Sequence, residues 1–280
     1  MKKNKIGLAG NGWGAIAALK SLQNYFRIEC LTKDKDVISK LSKKDSLIDS
    51  FEDFKSEFII CAGYKQLVSK LTLEKHTILN VHYSLLPKYR GLHSLAWAIM
   101  DGEKLLGWTV HLMNQNLDDG PIIYQRSLVN DMISSATFYM NQINNQVKTD
   151  LGNVTKSFIN GEIIPKEQDK SKSSWVGKRG NNHNFINFSN GHELCHRLFR
   201  VLQHPYPYPK VRYMGKVYIV SSIKFHESTN SGDVSRILNI DDDGVWVKSK
   251  DGYVILTGFK DEEGEDASNY EFKIGAFFND

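Results

Sequence analysis

The sequence predicts an α/β chain, a parallel sheet covered by helices, followed by a small all-β domain. Three observations carry this expectation. Short apolar runs alternate with helix-patterned segments from Lys5 to Val81. A glycine cluster separates the first such run from the first such helix. Beyond Pro205 the pattern changes to consecutive strand-like segments parted by Gly and Asp turns.

Taken in order, Ile6–Ala9 reads as a strand, Gly10–Gly14 as a turn, and the next stretch as a helix with apolar residues at Ile16, Leu19 and Leu22. Arg27–Leu31, Phe58–Ala62 and Thr77–Val81 are short apolar runs bounded by polar segments, with Leu67–Glu74 a helix between the last two. A turn-rich loop follows Val81, then a helix over Ser94–Met100 and strands at Trp108–Met113 and Ile122–Val129, linked by Asn114–Gly120. Ile143, Val147, Leu151, Val154 and Phe158 recur at helical spacing and predict a longer helix that packs on the sheet. Pro165–Asn184 turns polar and reads as a linker able to carry substrate contacts, and Gly191–Gln203 reads as a helix. Val217–Phe225, Val234–Ile240, Val245–Lys250 and Tyr253–Phe259 read as the strands of the β domain. The domains expected are 1–190, a connecting helix and aromatic segment over 191–212, and 213–280.

Composition narrows the function classes. A chain of 280 residues suggests roughly two domains at about 150 residues each. The 36 Lys and Arg against 32 Asp and Glu are spread along the chain, so mass electrostatic binding to nucleic acid is not indicated. Hydrophobic residues at 41% and charged residues at 24% exclude wholesale disorder. No apolar run reaches the ~18 residues of a membrane helix, and Ile6–Ala9 is too short for a signal-peptide core, so a cytoplasmic location and no membrane partner are expected. Cys30, Cys61 and Cys195 are distant in sequence and odd in number, against both a disulfide framework and a four-thiolate metal site.

Three segments invite a chemical reading. Gly10-Asn11-Gly12-Trp13-Gly14-Ala15 lies between strand and helix, where a dinucleotide phosphate binds in some α/β folds, but only Glu29, Asp34 or Asp36 supplies the acidic residue expected further on. It reads as a turn packing helix on strand. His192-Glu193-Leu194-Cys195-His196 matches the H-E-x-x-H pattern of zinc hydrolases, yet Arg197 follows directly and no third ligand stands downstream. That segment reads as an amphipathic helix with apolar positions Leu194, Leu198, Val201 and Leu202, and no metal is expected. In the third segment, Asn80 and His82 end a buried strand and, at period two, face the same side, while Asp118 stands in a tight connection before a later strand. Singly, an Asn ends strands, a His fills core positions and an Asp caps turns. Together they place an amide, an imidazole and a carboxylate at the sheet edge where α/β folds bind ligands.

The ordered set N-x-H at Asn80–His82, S-L-L-P-K-Y-R-G at Ser84–Gly91, W-A-I at Trp97–Ile99, G-x-T-V-H at Gly107–His111 and L-D-x-G-P-I-I at Leu117–Ile123 resembles the 10-formyltetrahydrofolate-dependent formyltransferases. The resemblance is densest from Asn80 to Gln125. It implies a Rossmann-like catalytic domain with a small C-terminal β (oligonucleotide-binding-like) domain. It further implies a catalytic trio of Asn80, His82 and Asp118, with Asp119 the less favoured carboxylate. The folate donor is expected near Leu85, Leu86, Pro87, Lys88, Arg90 and Gly91 and in the loop before Asp118. In such a reaction the Asn80 amide donates to the developing oxyanion, His82 acts as general base or donor, and Asp118 orients the imidazole and relays a proton.

Arg90-Gly91-Leu92-His93-Ser94, Gly63-Tyr64-Lys65-Gln66 and the Leu202–Pro209 segment look like the sugar-nucleotide members of the family, although Tyr208 replaces the usual glycine of the last. The resemblance thus favours a nucleotide-linked amino sugar as acceptor, first dTDP-4-amino-4,6-dideoxyglucose, for O-antigen and lipopolysaccharide biosynthesis, with methionyl-tRNA as the alternative. Lys65, Lys178 and Arg179 are the candidate diphosphate partners, and Tyr64, Tyr206 and Tyr208 the candidate aromatic contacts; solvated charges and surface aromatics are the competing reading. A homodimer is among the assemblies open to the chain.

Overall fold

A computed structural model describes residues 4–204, 206–228 and 231–279. Pro205 of the proline-rich segment lies outside the described residues. The chain divides into two compact units. The first runs to Ala98 and adds Lys104–Asn130 and Phe138–Lys178; the second takes Ile99–Glu103, Asp131–Thr137 and Arg179 onward. The expected boundary at 190/191 stands later in the chain than this division.

The first unit opens with β1 (Lys5–Gly10), α1 (Gly12–Leu22), β2 (Arg27–Leu31), α2 (Lys35–Ile38), β3 (Ser46–Ile48), β4 (Phe58–Ala62), α3 (Lys70–Lys75) and β5 (Thr77–His82). These five strands are parallel, in the order β3-β2-β1-β4-β5. Ile6, Leu8, Ile28, Ile59 and Ile60 are fully buried, as strands covered on both faces require. Helix α1 lays Ala15, Ala18, Leu19 and Leu22 inward. Helix α3 starts later than the apolar pattern suggested, because the Ser69 hydroxyl accepts from the Thr72 amide and caps it there, leaving Leu67 exposed.

After β5 the chain makes a two-residue strand β6 (Arg90–Gly91), helix α4 (Ser94–Met100) and then β7 (Leu105–Leu112) and β8 (Ile122–Val129). Strand β7 pairs antiparallel with β5, and β8 antiparallel with β7, so a hairpin completes a seven-stranded Rossmann-like sheet of mixed direction. Helix α5 (Ala136–Ile159) buries Ile143, Val147, Leu151 and Val154 at the predicted spacing. The polar stretch after it is not a free linker: Lys166 exchanges both backbone hydrogen bonds with Ile122, and β9 (Trp175–Val176) pairs with β6.

The second unit contains α6 (Gly191–Val201), β10 (Lys210–Tyr213), β11 (Lys216–Glu227), β12 (Ile237–Asp241), β13 (Gly244–Ser249), β14 (Gly252–Lys260) and β15 (Asp266–Ala267). Its antiparallel sheet runs β10-β11-β14-β13-β12, with β15 on β14. Phe188, Phe259, Phe272, Phe278 and Tyr213 form its aromatic core. Strand β12 begins three residues later than predicted because Ser235 adopts φ 73°, which no extended strand accommodates.

Candidate active site

Strand β5 carries Asn80 and His82 at its carboxyl end, between parallel β4 and antiparallel β7. Asn80 pairs with His111 and His82 with Thr109 across β5 and β7. Residues opposite one another share a face. The Asn80 Nδ2 atom accordingly lies 3.2 Å from His111 Nε2.

The connection from β7 to β8 returns a carboxylate to this pair. Asp118 sits in the left-handed region at φ 50°, an uncommon conformation for a non-glycine residue that nearby contacts must hold. Its Oδ1 is 3.2 Å from Asn80 Nδ2 and 3.4 Å from His111 Nε2, and its Oδ2 accepts from the Gly91 amide at 2.8 Å and stands 3.5 Å from His82 Nδ1. Two glycines make this approach possible. A Cβ on Gly91, at φ 109°, would lie 2.2 Å from the Val176 carbonyl oxygen, and one on Gly120 would lie 1.9 Å from that of Leu112.

The hydrogen bonds assign the protons. The Tyr89 carbonyl is 2.8 Å from His82 Nε2, and a carbonyl only accepts, so Nε2 carries the hydrogen. The one basic atom of neutral His82 is therefore Nδ1, on the Asp118 side. By the same reasoning His111 Nδ1 donates to the Leu112 carbonyl at 2.9 Å, leaving Nε2 to accept from the Asn80 amide. Both Asn80 amide hydrogens are engaged, with Asp118 and His111. Donation to a substrate oxygen requires that one be exchanged.

Burial alone would raise the Asp118 carboxyl. The adjoining His111 and His82 side chains and the Gly91 amide outweigh it and hold the group at about 2, firmly ionised. Burial pushes His82 below the ordinary histidine value, with Asp118 and the Tyr89 carbonyl opposing and His111 adding to the depression. His82 is thus a neutral base beside a fixed negative charge.

The loop over Ser84–Gly91 is built as scaffold as much as surface. The Thr109 hydroxyl donates to the Ser84 carbonyl at 2.6 Å, and the Gln125 amide donates to the Leu86 carbonyl at 2.7 Å. Leu86 is buried, Leu85 and Pro87 are half-buried, and Lys88 is exposed. The Arg90 side chain, expected at the donor, is buried and pairs with Asp119 at 2.6 Å and with Gln168 at 2.7 Å. Asp119 is thereby directed away from Asn80 and His82, which leaves Asp118 as the carboxylate of the cluster. A cavity of about 510 Å³ is lined by Arg90, Gln115, Asn116, Leu117, Asp119 and Trp175, next to the loop expected to meet the folate.

Sequence reasoning left two residues without a role. His111 stands inside the quoted G-x-T-V-H motif, and its register opposite Asn80 was the available signal. Gln168 lay in the stretch read as linker and carried no signal of its own.

The Gly12 amide donates to Asp34 Oδ2 at 2.7 Å, so an internal carboxylate occupies the start of α1 where a dinucleotide phosphate would bind. His192 Nδ1 lies 2.7 Å from Asp251, and Glu193 pairs with Arg197. Among the described residues no three His, Cys, Asp or Glu side chains gather as a metal site. Tyr64 stacks edge-on against Phe51 and its hydroxyl donates to Gln66, while Lys65 and Lys178 are exposed. Arg179 donates to the His183 carbonyl; Tyr206 is half-buried and Tyr208 exposed. All three cysteines are buried free thiols, each pushed up to about 12 chiefly by burial.

Comparison with known proteins bears on the fold and the family. The chain is similar to the methionyl-tRNA formyltransferase of Clostridium acetobutylicum, 27% identical over 220 residues that cover 78% of this chain and 71% of the relative. Its fold is shared with the N-formyltransferase from Helicobacter canadensis, solved with folinic acid and dTDP-3-aminofucose, at a TM-score of 0.68 and 18% identity over 92% of this chain and 99% of that one. HypX from Aquifex aeolicus, solved with tetrahydrofolic acid, gives a TM-score of 0.65 at 18% identity, over 93% of this chain; the chain spans only 45% of that protein. Residues 14–153 match the formyl transferase family and 180–276 the formyl transferase C-terminal domain. The cluster at Asn80, His82, His111 and Asp118 falls within the first of these matches, and the chain belongs to the formyl transferase family.

Proposed function

We propose that the chain moves a formyl group from 10-formyltetrahydrofolate to the amine of a nucleotide-linked amino sugar, with dTDP-4-amino-4,6-dideoxyglucose the first choice and 3-amino sugars next. The observation that carries the transfer chemistry is the Asp118 carboxylate, which binds Asn80 and stands beside the basic nitrogen of His82. As the amine attacks the formyl carbon, negative charge grows on the formyl oxygen, where the Asn80 amide donates. His82 Nδ1 takes the amine proton, and Asp118 stabilises the imidazolium so formed. The carbon–nitrogen bond to the donor then breaks, and the proton held by His82 passes to the departing folate nitrogen. No covalent enzyme intermediate is needed.

For the acceptor, charge favours the sugar. Residues 179–280 hold 12 Lys and Arg against 14 Asp and Glu, an acidic balance poorly suited to the several phosphate contacts of a tRNA. A sugar nucleotide presents only a diphosphate, which Lys65, Lys178 or Arg179 can hold. The N-formyltransferase of Helicobacter canadensis, solved with dTDP-3-aminofucose, shares the fold and supports the same choice. The second reading, methionyl-tRNA as acceptor, is favoured by the curated relative from Clostridium acetobutylicum.

The test is to incubate purified protein with 10-formyltetrahydrofolate and either a panel of amino-sugar nucleotides or methionyl-tRNA, at rising salt. Turnover of a dTDP-amino sugar with modest salt dependence is expected. Efficient tRNA formylation that collapses with salt, and an inert sugar panel, would reverse the acceptor while leaving the catalytic cluster intact.

A further inference from the structure

The backbone that carries Asp118 is held by residues outside the catalytic cluster. Asp118 itself lies in the left-handed region, in a loop otherwise exposed from Asn114 to Leu117. A loop of that kind would sample many orientations unless something fixed it.

Gln168 is almost fully buried, and its carboxamide is used at both ends. The Nε2 group donates to the carbonyl of Asp118 at 2.8 Å and to that of Gly120 at 2.8 Å. The Oε1 atom accepts from Arg90 Nη2 at 2.7 Å and Nε at 3.2 Å. Arg90, buried to 3% exposure, completes the arrangement by pairing its Nη1 with Asp119 at 2.6 Å. The two groups therefore hold three successive residues, gripping the carbonyls of the first and third and the carboxylate of the second. The backbone next to Arg90 then supplies the Gly91 amide that binds Asp118 Oδ2. Gln168 itself is anchored by the paired backbone bonds between Lys166 and Ile122.

We propose that Gln168, acting with Arg90 and Asp119, is a positioning residue that fixes the direction of the Asp118 carboxylate toward His82 and Asn80. The inference rests on the formyl-transfer reading of the site. It does not depend on which amine is the acceptor. Misplacement of a reacting group by about 1 Å costs on the order of 100-fold in rate, so the effect of releasing this loop is measurable.

The test is Gln168→Glu. This substitution keeps the shape and the acceptor for Arg90, but turns the donor facing two carbonyls into a third oxygen. Two readouts are taken on the full chain. In the ligand-free protein, hydrogen exchange at the Gly91 amide is expected to quicken about tenfold or more, while amides of β1 and β4 exchange as in the wild type. In turnover, kcat is expected to fall about 10- to 100-fold with the donor KM within about threefold of the wild type. A purely structural role would quicken exchange throughout the sheet and would not separate kcat from KM. Unchanged Gly91 exchange in folded Gln168→Glu protein overturns the proposal, as does global quickening. If the wild-type protein formylates neither acceptor class, the function reading fails while the exchange result still decides this one. Should Gln168→Glu not fold, Asp119→Asn carries the same two measurements with smaller expected changes, and wild-type exchange and kcat there overturn the proposal.

Discussion

Replacing Asp118 by Asn keeps the shape of the side chain and removes its charge. The wild-type carboxyl lies at about 2 against an ordinary 3.8, on a side chain only 9% exposed. That depression means the folded state prefers the ionised form by roughly 2.5 kcal/mol at pH 7. A depressed carboxylate contributes stability above its unfolded value and loses it as pH falls toward the folded one. At pH 3 the same two values leave only roughly 1.3 kcal/mol. Urea denaturation should therefore find Asp118→Asn less stable by about 2 kcal/mol at pH 7 and by about half that at pH 3. Its kcat should fall about 100-fold or more, since the imidazolium formed on His82 loses its counter-charge. Removing the carboxylate also removes the main influence that raises His82. The acid limb of any residual activity should move to lower pH. A stability deficit that is the same at both pH values, or an acid limb that moves up, would refute the electrostatic account of this carboxylate.

Asn80→Ala and His82→Ala should each lower formyl transfer by about 100-fold or more without unfolding the protein; near-normal turnover in folded His82→Ala would remove the base from the mechanism. Asp34→Ala deprives both the Gly12 amide and the start of α2 of their acceptor. It should cost about 1–2 kcal/mol in urea denaturation, and calorimetry on the wild type should detect no nicotinamide dinucleotide binding at the turn that Asp34 fills. Activity should withstand chelator, and His196→Ala should keep it; stoichiometric zinc with metal-restored activity would instead revive the hydrolase pattern of α6.

The central strands were legible because burial on two faces writes itself as short, mostly apolar runs, even where β2 carries the buried Glu29. Phe58–Ala62 and Arg27–Leu31 form strands with the bounds the sequence suggested. β3 was not legible: three residues at the sheet margin, none of them buried, have no pattern to show. The Asn80 and His82 pair was readable from period two alone, since both side chains reach Asp118. Gln168 was not readable, because its role depends on where a polar segment with no periodicity crosses a buried arginine. Arg90 illustrates the same limit from the other side. Its place in S-L-L-P-K-Y-R-G suggested a ligand contact, but not that the guanidinium, beside the cavity it lines, is buried against Asp119, where an unpaired charge would be far more costly.

The spacing of the site residues follows from one structural decision, the reversal of strand direction after β5. In an antiparallel pair the register sets which side chains meet, and here it puts His111 against Asn80 and Thr109 against His82. Thr109 ties the loop after β5 through the Ser84 carbonyl, and Asn80, opposite His111, binds Asp118 from the hairpin after β7. A parallel partner would need a long crossover before pairing at the same edge. The hairpin instead returns Asp118 to the end of β5 within a few residues of His111. A one-residue slip between β5 and β7 would turn His111 to the opposite face. Asn80, His82, His111 and Asp118 are therefore fixed as one geometric unit by the same hydrogen-bond ladder, which is why their motifs occur in this order and at this spacing.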